Sequence, residues 1–203
     1  MANPDKTIDA RILAMAKEEF LSKTYEQVSL RDVCNKAGVT TGAFYNRYQN
    51  KEELFEALVA PALSLMDEFS DQRESESYSH MDANDLIAIW KLTPQTQAGI
   101  VHVLYDNYDE FRILLCHAEG SRHANFLHDF SDDASNRSFR FIEEAYRRGL
   151  ASHLIDREEL HMLLTAYWST MFEPLIHGLS REKALEHSEM VAKLFNWTEV
   201  LGF

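Results

Sequence analysis

Apolar residues recur three and four positions apart along almost the whole chain, the spacing of helices that bury one face. Over 7–22 the stripe is Ile8, Ile12, Leu13, Ala16 and Phe20. A shorter run carries Leu30, Val33, Cys34 and Ala37 behind Ser29, placed to cap a helix, with Asp32 three residues on. Gly38 follows, able to take the left-handed backbone conformation that ends a helix sharply. Thr40 then caps a third element that buries Phe44 and Tyr48 and leaves Thr41, Ala43, Tyr45 and Asn46 outward. Asn50 and Glu53 form a capping box for a longer fourth helix with Leu54, Phe55, Leu58, Ala62, Leu65, Met66 and Phe69. Pro61 inside that run is expected to kink or interrupt it.

Residues 70–84 are polar and read as a helix end plus linker. Beyond them the pattern is helical again. Thr93 and Pro94 signal a start, for a helix reaching Tyr108, and another runs through 111–118. A longer one over 123–148 closes on Arg147, Arg148 and Gly149. Asp156 and Glu159 open a largely apolar helix expected to be interrupted by Pro174, and Ser180 caps a last one running to Leu201. With 7 Gly and 4 Pro in 203 residues there is little punctuation, so the fold class is all-α. A three-helix head, 1–52, is joined by the long fourth helix to a helical body, 53–203.

Two helices joined as tightly as those over 29–48 form the arrangement that sets the second helix into a DNA major groove. The net charge of −13 argues against nucleic acid only until it is partitioned. Residues 1–55 hold eight Lys/Arg and eight Asp/Glu, whereas the rest holds 12 basic and 25 acidic residues. A balanced head on an acidic body can still bind phosphates if its cations cluster. No apolar run is long enough to span a membrane, the first residues lack a signal-peptide core, and Cys34 and Cys116 form no metal or redox motif. A reduced, cytoplasmic protein without a membrane partner is expected.

From Ile12 to Leu58 the chain resembles the tetracycline-repressor (TetR/AcrR) family of bacterial transcriptional regulators. Phe20, Tyr25, the Ser29–Val33 helix start, Ala37–Thr40, Gly42–Tyr45 and Lys51–Leu54 carry the resemblance. It implies a homodimer paired through its last two helices, a palindromic operator in double-stranded DNA, and a body that binds a small-molecule ligand of unknown identity. By resemblance, Thr40 meets phosphate as well as capping, and Gly42 lets the recognition helix approach closely. Thr41 and Ala43 face base edges, Ala43 towards a thymine methyl. Tyr45 and Asn46 reach base or backbone, Lys51 pairs with phosphate, and Ser29 and Arg31 add backbone contacts. Thr24, Val28, Thr41, Asn46 and Arg47 depart from the family pattern; Arg47 is expected to restore a charge that Thr41 and Asn46 lack.

In the body, Tyr105, Tyr108, Phe111, Tyr167, Trp168 and Phe172 are either cavity lining or ordinary core, and Glu173 beside Pro174 is either a ligand contact or exposed. His117, His123 and His128 lie six and five residues apart, which does not stack them on one helix face, so no metal is expected. No cofactor is called for. No G-x-S-x-G, H-E-x-x-H or phosphate-binding glycine loop points to catalysis. The alternative to a DNA-binding regulator is a helical sensor whose main partner is another protein.

Overall fold

The computed structural model describes residues 6–74 and 81–203, all of whose regular elements are helices. In chain order these are α1 (Lys6–Ser22), α2 (Leu30–Ala37), α3 (Thr41–Tyr45), α4 (Lys51–Glu74), α5 (Ala83–Ala88) and α6 (Pro94–Asp106). There follow α7 (Tyr108–Cys116), α8 (Phe126–Arg147), α9 (Arg157–Ile176), α10 (Arg181–Leu194) and α11 (Trp197–Leu201). The chain forms two compact units: Met1–Ser64 with Asn107–Phe126, and Leu65–Asp106 with Leu127–Phe203. The first is called the head below, the second the body.

The head core is built from the predicted stripes. Ile12, Ala16 and Phe20 of α1, Val33 and Cys34 of α2, Phe44 of α3, and Leu54, Phe55 and Leu58 of α4 are buried. Phe20 and Phe55 meet edge to face at 5.1 Å. The head also takes in α7, which sequence reading assigned to the body. Phe111, Ile113 and Leu114 are buried, Lys17 pairs with Glu110 at 2.5 Å, and the Tyr25 N–H donates to the His117 carbonyl at 2.7 Å. A boundary at 52/53 therefore does not coincide with the compact units. Glu19 is an acid inside this core, 2% exposed, and it lies 2.5 Å from both Lys23 and Lys36. Those two ammonium groups hold its carboxyl below the usual carboxylate range.

In the body, α6 packs on α10 and α10 on α9. The apolar excess of α9 is largely interior: Leu160, Leu164, Tyr167, Trp168, Met171, Phe172 and Leu175 are all buried within the chain. Two proline expectations need correcting. The helix α4 continues through Pro61, which is exposed, so the carbonyl that loses its partner can turn to water. The helix α9 continues through buried Pro174, and the reason is tertiary. Proline has no N–H to give the carbonyl four residues back, that of Thr170. Instead His187 of α10 places Nε2 3.0 Å from that oxygen. The last predicted helix is in fact two, parted at Phe195 and Asn196, with Asn196 capping α11. The expected linker lies partly at 75–80, outside the described residues.

Candidate functional site

The turn between α2 and α3 is fixed by local chemistry. Ser29 Oγ accepts from the Asp32 N–H at 3.4 Å and opens α2. Gly38 ends it at φ +63°, its N–H donating to Asn35, while Val39 donates to Cys34 at 3.0 Å. Thr40 Oγ1 accepts from the Ala43 N–H at 3.1 Å and opens α3, leaving its own hydroxyl proton for an outside acceptor. Phe44 and Tyr48 are buried as expected, which turns Thr41, Gly42, Tyr45 and Asn46 outward and leaves Ala43 half-buried. Tyr45 is 57% exposed, its ring edge-on to Phe44. A Cβ added at Gly42 would meet only Thr40 Oγ1, at 3.9 Å, so nothing inside the head requires a glycine there.

Two predicted cations have partners inside the head. Arg47 is mostly buried; it pairs with Asp9 and donates to the Ala43 carbonyl, so it braces α3 against α1. The Lys51 ammonium donates to the carbonyls of Tyr25, Glu26 and Val28 at 2.8, 3.2 and 3.2 Å and lies over the Tyr25 ring. Those three acceptors match the three donors of an ammonium, which locks the loop before α2 to the start of α4. Its side chain is thus engaged within the head. Arg31 is exposed as expected, and Ser29 is half-buried. Sequence reading missed Arg11, an exposed cation of α1 whose guanidinium comes within 3.7 Å of a Cβ built on Gly38. It is far from the motif in sequence, and only the packing of α1 brings it to the turn.

The body holds a half-open cavity of about 480 Å³, walled by α5 and the turn after it, α6, α8, α9 and the start of α11. Tyr167 and Trp168 line it, as the sequence allowed. The other candidates do not. Tyr105 donates its hydroxyl to the Leu179 carbonyl at 2.9 Å, and Phe172 is wholly buried against Trp168 and Phe130. Tyr108 and Phe111 belong to α7 in the head, where Tyr108 accepts from Arg112. Glu173 is exposed and paired with His177 at 2.9 Å. The cavity instead uses Trp90, Gln97, Phe130, Arg137, Phe141 and Trp197, none of them singled out from the sequence. Gln97 is fully buried and donates to the Tyr167 hydroxyl at 3.0 Å. Of the histidines, His123 pairs with Glu56 and His128 meets His161 edge to face. Burial, aided by Arg112, pushes His117 below the usual histidine value.

A glycine-turned helix pair presenting an uncharged outer face is a helix-turn-helix, the form that DNA-binding regulators set into a major groove. Residues 12–58 match the family model described as bacterial regulatory proteins, tetR family. Over 50 residues the chain is 38% identical to the transposon Tn10 TetC protein of Escherichia coli, a match spanning 25% of each protein. Across nearly its full length it shares a fold with a TetR-family transcriptional regulator of Syntrophomonas wolfei (23% identity, 96% and 95% of the two chains covered, TM-score 0.61). It does so equally with NalD of Pseudomonas aeruginosa, the secondary repressor of the MexAB-OprM multidrug efflux pump (20%, 98% and 96%, TM-score 0.60). A third such structure is FadR of Bacillus subtilis in complex with stearoyl-CoA (14%, 92% and 96%, TM-score 0.56). Residues 12–58 carry the TetR-family sequence pattern, and the chain along nearly its whole length has a fold found in TetR-family regulators. Among the described residues, no helix is long and apolar enough to cross a membrane.

Proposed function

We propose that the protein is a cytoplasmic homodimeric repressor of a palindromic operator, released from it by a small-molecule ligand. Residues 1–52 serve DNA binding, and 53–203 serve ligand binding and dimerisation. The observation that carries the DNA half is the outer face of α3, exposed and free of acidic residues in a chain of net charge −13. Thr41, Ala43, Tyr45 and Asn46 meet base edges, with Ala43 against a thymine methyl, and Gly42 admits the backbone. The hydroxyls of Thr40 and Ser29, the first-turn N–H groups of α4, and the cations Arg31 and Arg11 meet phosphates.

One such module contacts few base pairs, so two copies related by a two-fold axis are needed, with recognition helices about 34–36 Å apart. The dimer forms through α9 and α10. Their outward sides carry Met162, Met190 and Leu194, exposed by 58, 55 and 77%, apolar area that a second copy would cover. The body cavity receives the ligand, which favours a state whose heads no longer match the operator. Each tenfold of differential affinity between the two states supplies about 1.4 kcal/mol. Repression as the sign of action is supported by the fold shared with a repressor of an efflux pump.

Selection from random duplex DNA with the purified protein at near-physiological salt tests this reading. A two-fold symmetric enriched site, bound by a species of dimer mass in light scattering, is expected. Absence of enrichment overturns the operator reading and favours a protein partner. Simultaneous, independent binding of DNA and ligand overturns release.

A further inference from the structure

Which ligand the cavity takes is written in the charges of its wall. Residues 56–203 hold 25 acidic and 12 basic residues, yet the charged groups lining the cavity are Lys91 and Arg137, both cations. An acidic body that turns its scarce cations towards a cavity is arranged against its own composition. Arg137 of α8 has a side chain only 18% exposed. Its neighbour is Asp133, one turn back on the same helix and 59% exposed, which engages one terminal nitrogen. A guanidinium carries five N–H donors in a planar fork, so capacity remains for an incoming carboxylate. Trp90, 4% exposed and next to Lys91, adds a buried indole N–H with no hydrogen-bond partner among the described residues. A wall with surplus donors and positive charge lacks an acceptor-rich anion. Thr96, Gln97 and Ser138 add neutral polar groups, and most of the remaining lining is apolar or aromatic, with Trp90, Trp168, Trp197, Tyr167, Phe130 and Phe141.

We infer that the cavity binds an amphipathic carboxylate, its apolar portion among the aromatic rings and its anionic head at Arg137, with Lys91 adding charge. The inference rests on the ligand-site reading above and names the ligand's chemical class. A volume of about 480 Å³ lies within the range of about 300–1,000 Å³ that holds small organic molecules.

The chain's three tryptophans all line the cavity, so intrinsic fluorescence reports its occupancy directly. Two matched series serve as probes: dodecanoate, dodecanamide and dodecylamine, and 2-naphthaleneacetate with its amide and the corresponding amine. Saturable fluorescence change is expected for a carboxylate, with affinity about tenfold or more above its amide and amine. Arg137→Gln should remove that preference, and Arg137→Lys should keep part of it; unchanged circular dichroism excludes misfolding. Equal or tighter binding of an amide or amine, or an undiminished preference in Arg137→Gln, overturns the carboxylate assignment while leaving the cavity a ligand site. No fluorescence change with any member of either series overturns the ligand-site reading as well.

Discussion

Head and body differ in where some of their cations end up. In the head, Lys17, Lys23, Lys36, Arg47 and Lys51 are tied to Glu110, Glu19, Asp9 or main-chain carbonyls. They cross-link short helices that bury little surface by themselves, and the face offered outward is almost neutral. In the body the helices are longer and some cations also brace them, Arg181 pairing with Asp106 at 2.7 Å and Arg157 donating to Asn136 at 3.1 Å. Two others line a cavity. The contrast teaches that a count of lysines and arginines in a DNA-binding head overstates the charge available to DNA. The fold itself occupies most of it.

The comparison can be broken or sharpened by experiment. Phe44→Ala should have the largest effect. Phe44 is fully buried beneath the recognition face, and its loss should cost about 3–5 kcal/mol of head stability in chemical denaturation and abolish operator binding. Next is the salt dependence of operator binding. If only Arg11 and Arg31 of each head neutralise phosphates, the slope of log affinity against log salt should be about −4 for a dimer, and about −10 would show that the internal pairs open on DNA. Lys51→Ala and Tyr45→Ala should then separate brace from contact. The first should lower stability by about 1–3 kcal/mol, because two part-buried carbonyls, of Tyr25 and Val28, and the exposed one of Glu26 lose a charged donor. The second should change stability by less than about 0.5 kcal/mol yet weaken operator binding about tenfold or more. Equal stability of the two variants would remove the distinction drawn between them.

In the body, His187→Ala should cost about 1–2 kcal/mol in thermal or urea unfolding, since it strands the Thr170 carbonyl beside Pro174. Pro174→Ala in the same background should recover part of the loss by restoring the helix hydrogen bond. The smallest effect is expected at Gly42→Ala. The head has room for the methyl group, so stability should hold or rise by about 0.5–1 kcal/mol, while operator affinity falls. A variant that binds as well as the parent would show that close backbone approach at Gly42 is not needed.

The head was readable because its determinants are local. Ser29, Gly38, Thr40 and the Asn50–Glu53 box each act on a backbone group within about one turn, and the apolar stripes of α1, α2 and α4 state which side is buried. The same contiguous stretch carries the recognition face, so naming the elements named the candidate site. The body cavity was not readable in this way. Its wall draws on segments between Ala88 and Trp197, and an aromatic at helical spacing looks the same whether it ends in core, like Phe172, or at a cavity, like Trp168.

The sequence by itself therefore determined the all-helical class, the capped turn, the burial of Phe44 and Tyr48 and the exposure of Tyr45, because these follow from short-range hydrogen bonding and periodicity. Only the tertiary structure decided that Lys51 and Arg47 are braces, that α7 belongs to the head, and that α9 runs on through Pro174. It also decided that Arg137 and Lys91 share a cavity wall. Each of these depends on which distant group supplies a missing partner: a carbonyl for an ammonium, an imidazole for a lost amide, a helix for an open apolar face. Spacing along the chain carries no record of that choice until the helices have packed.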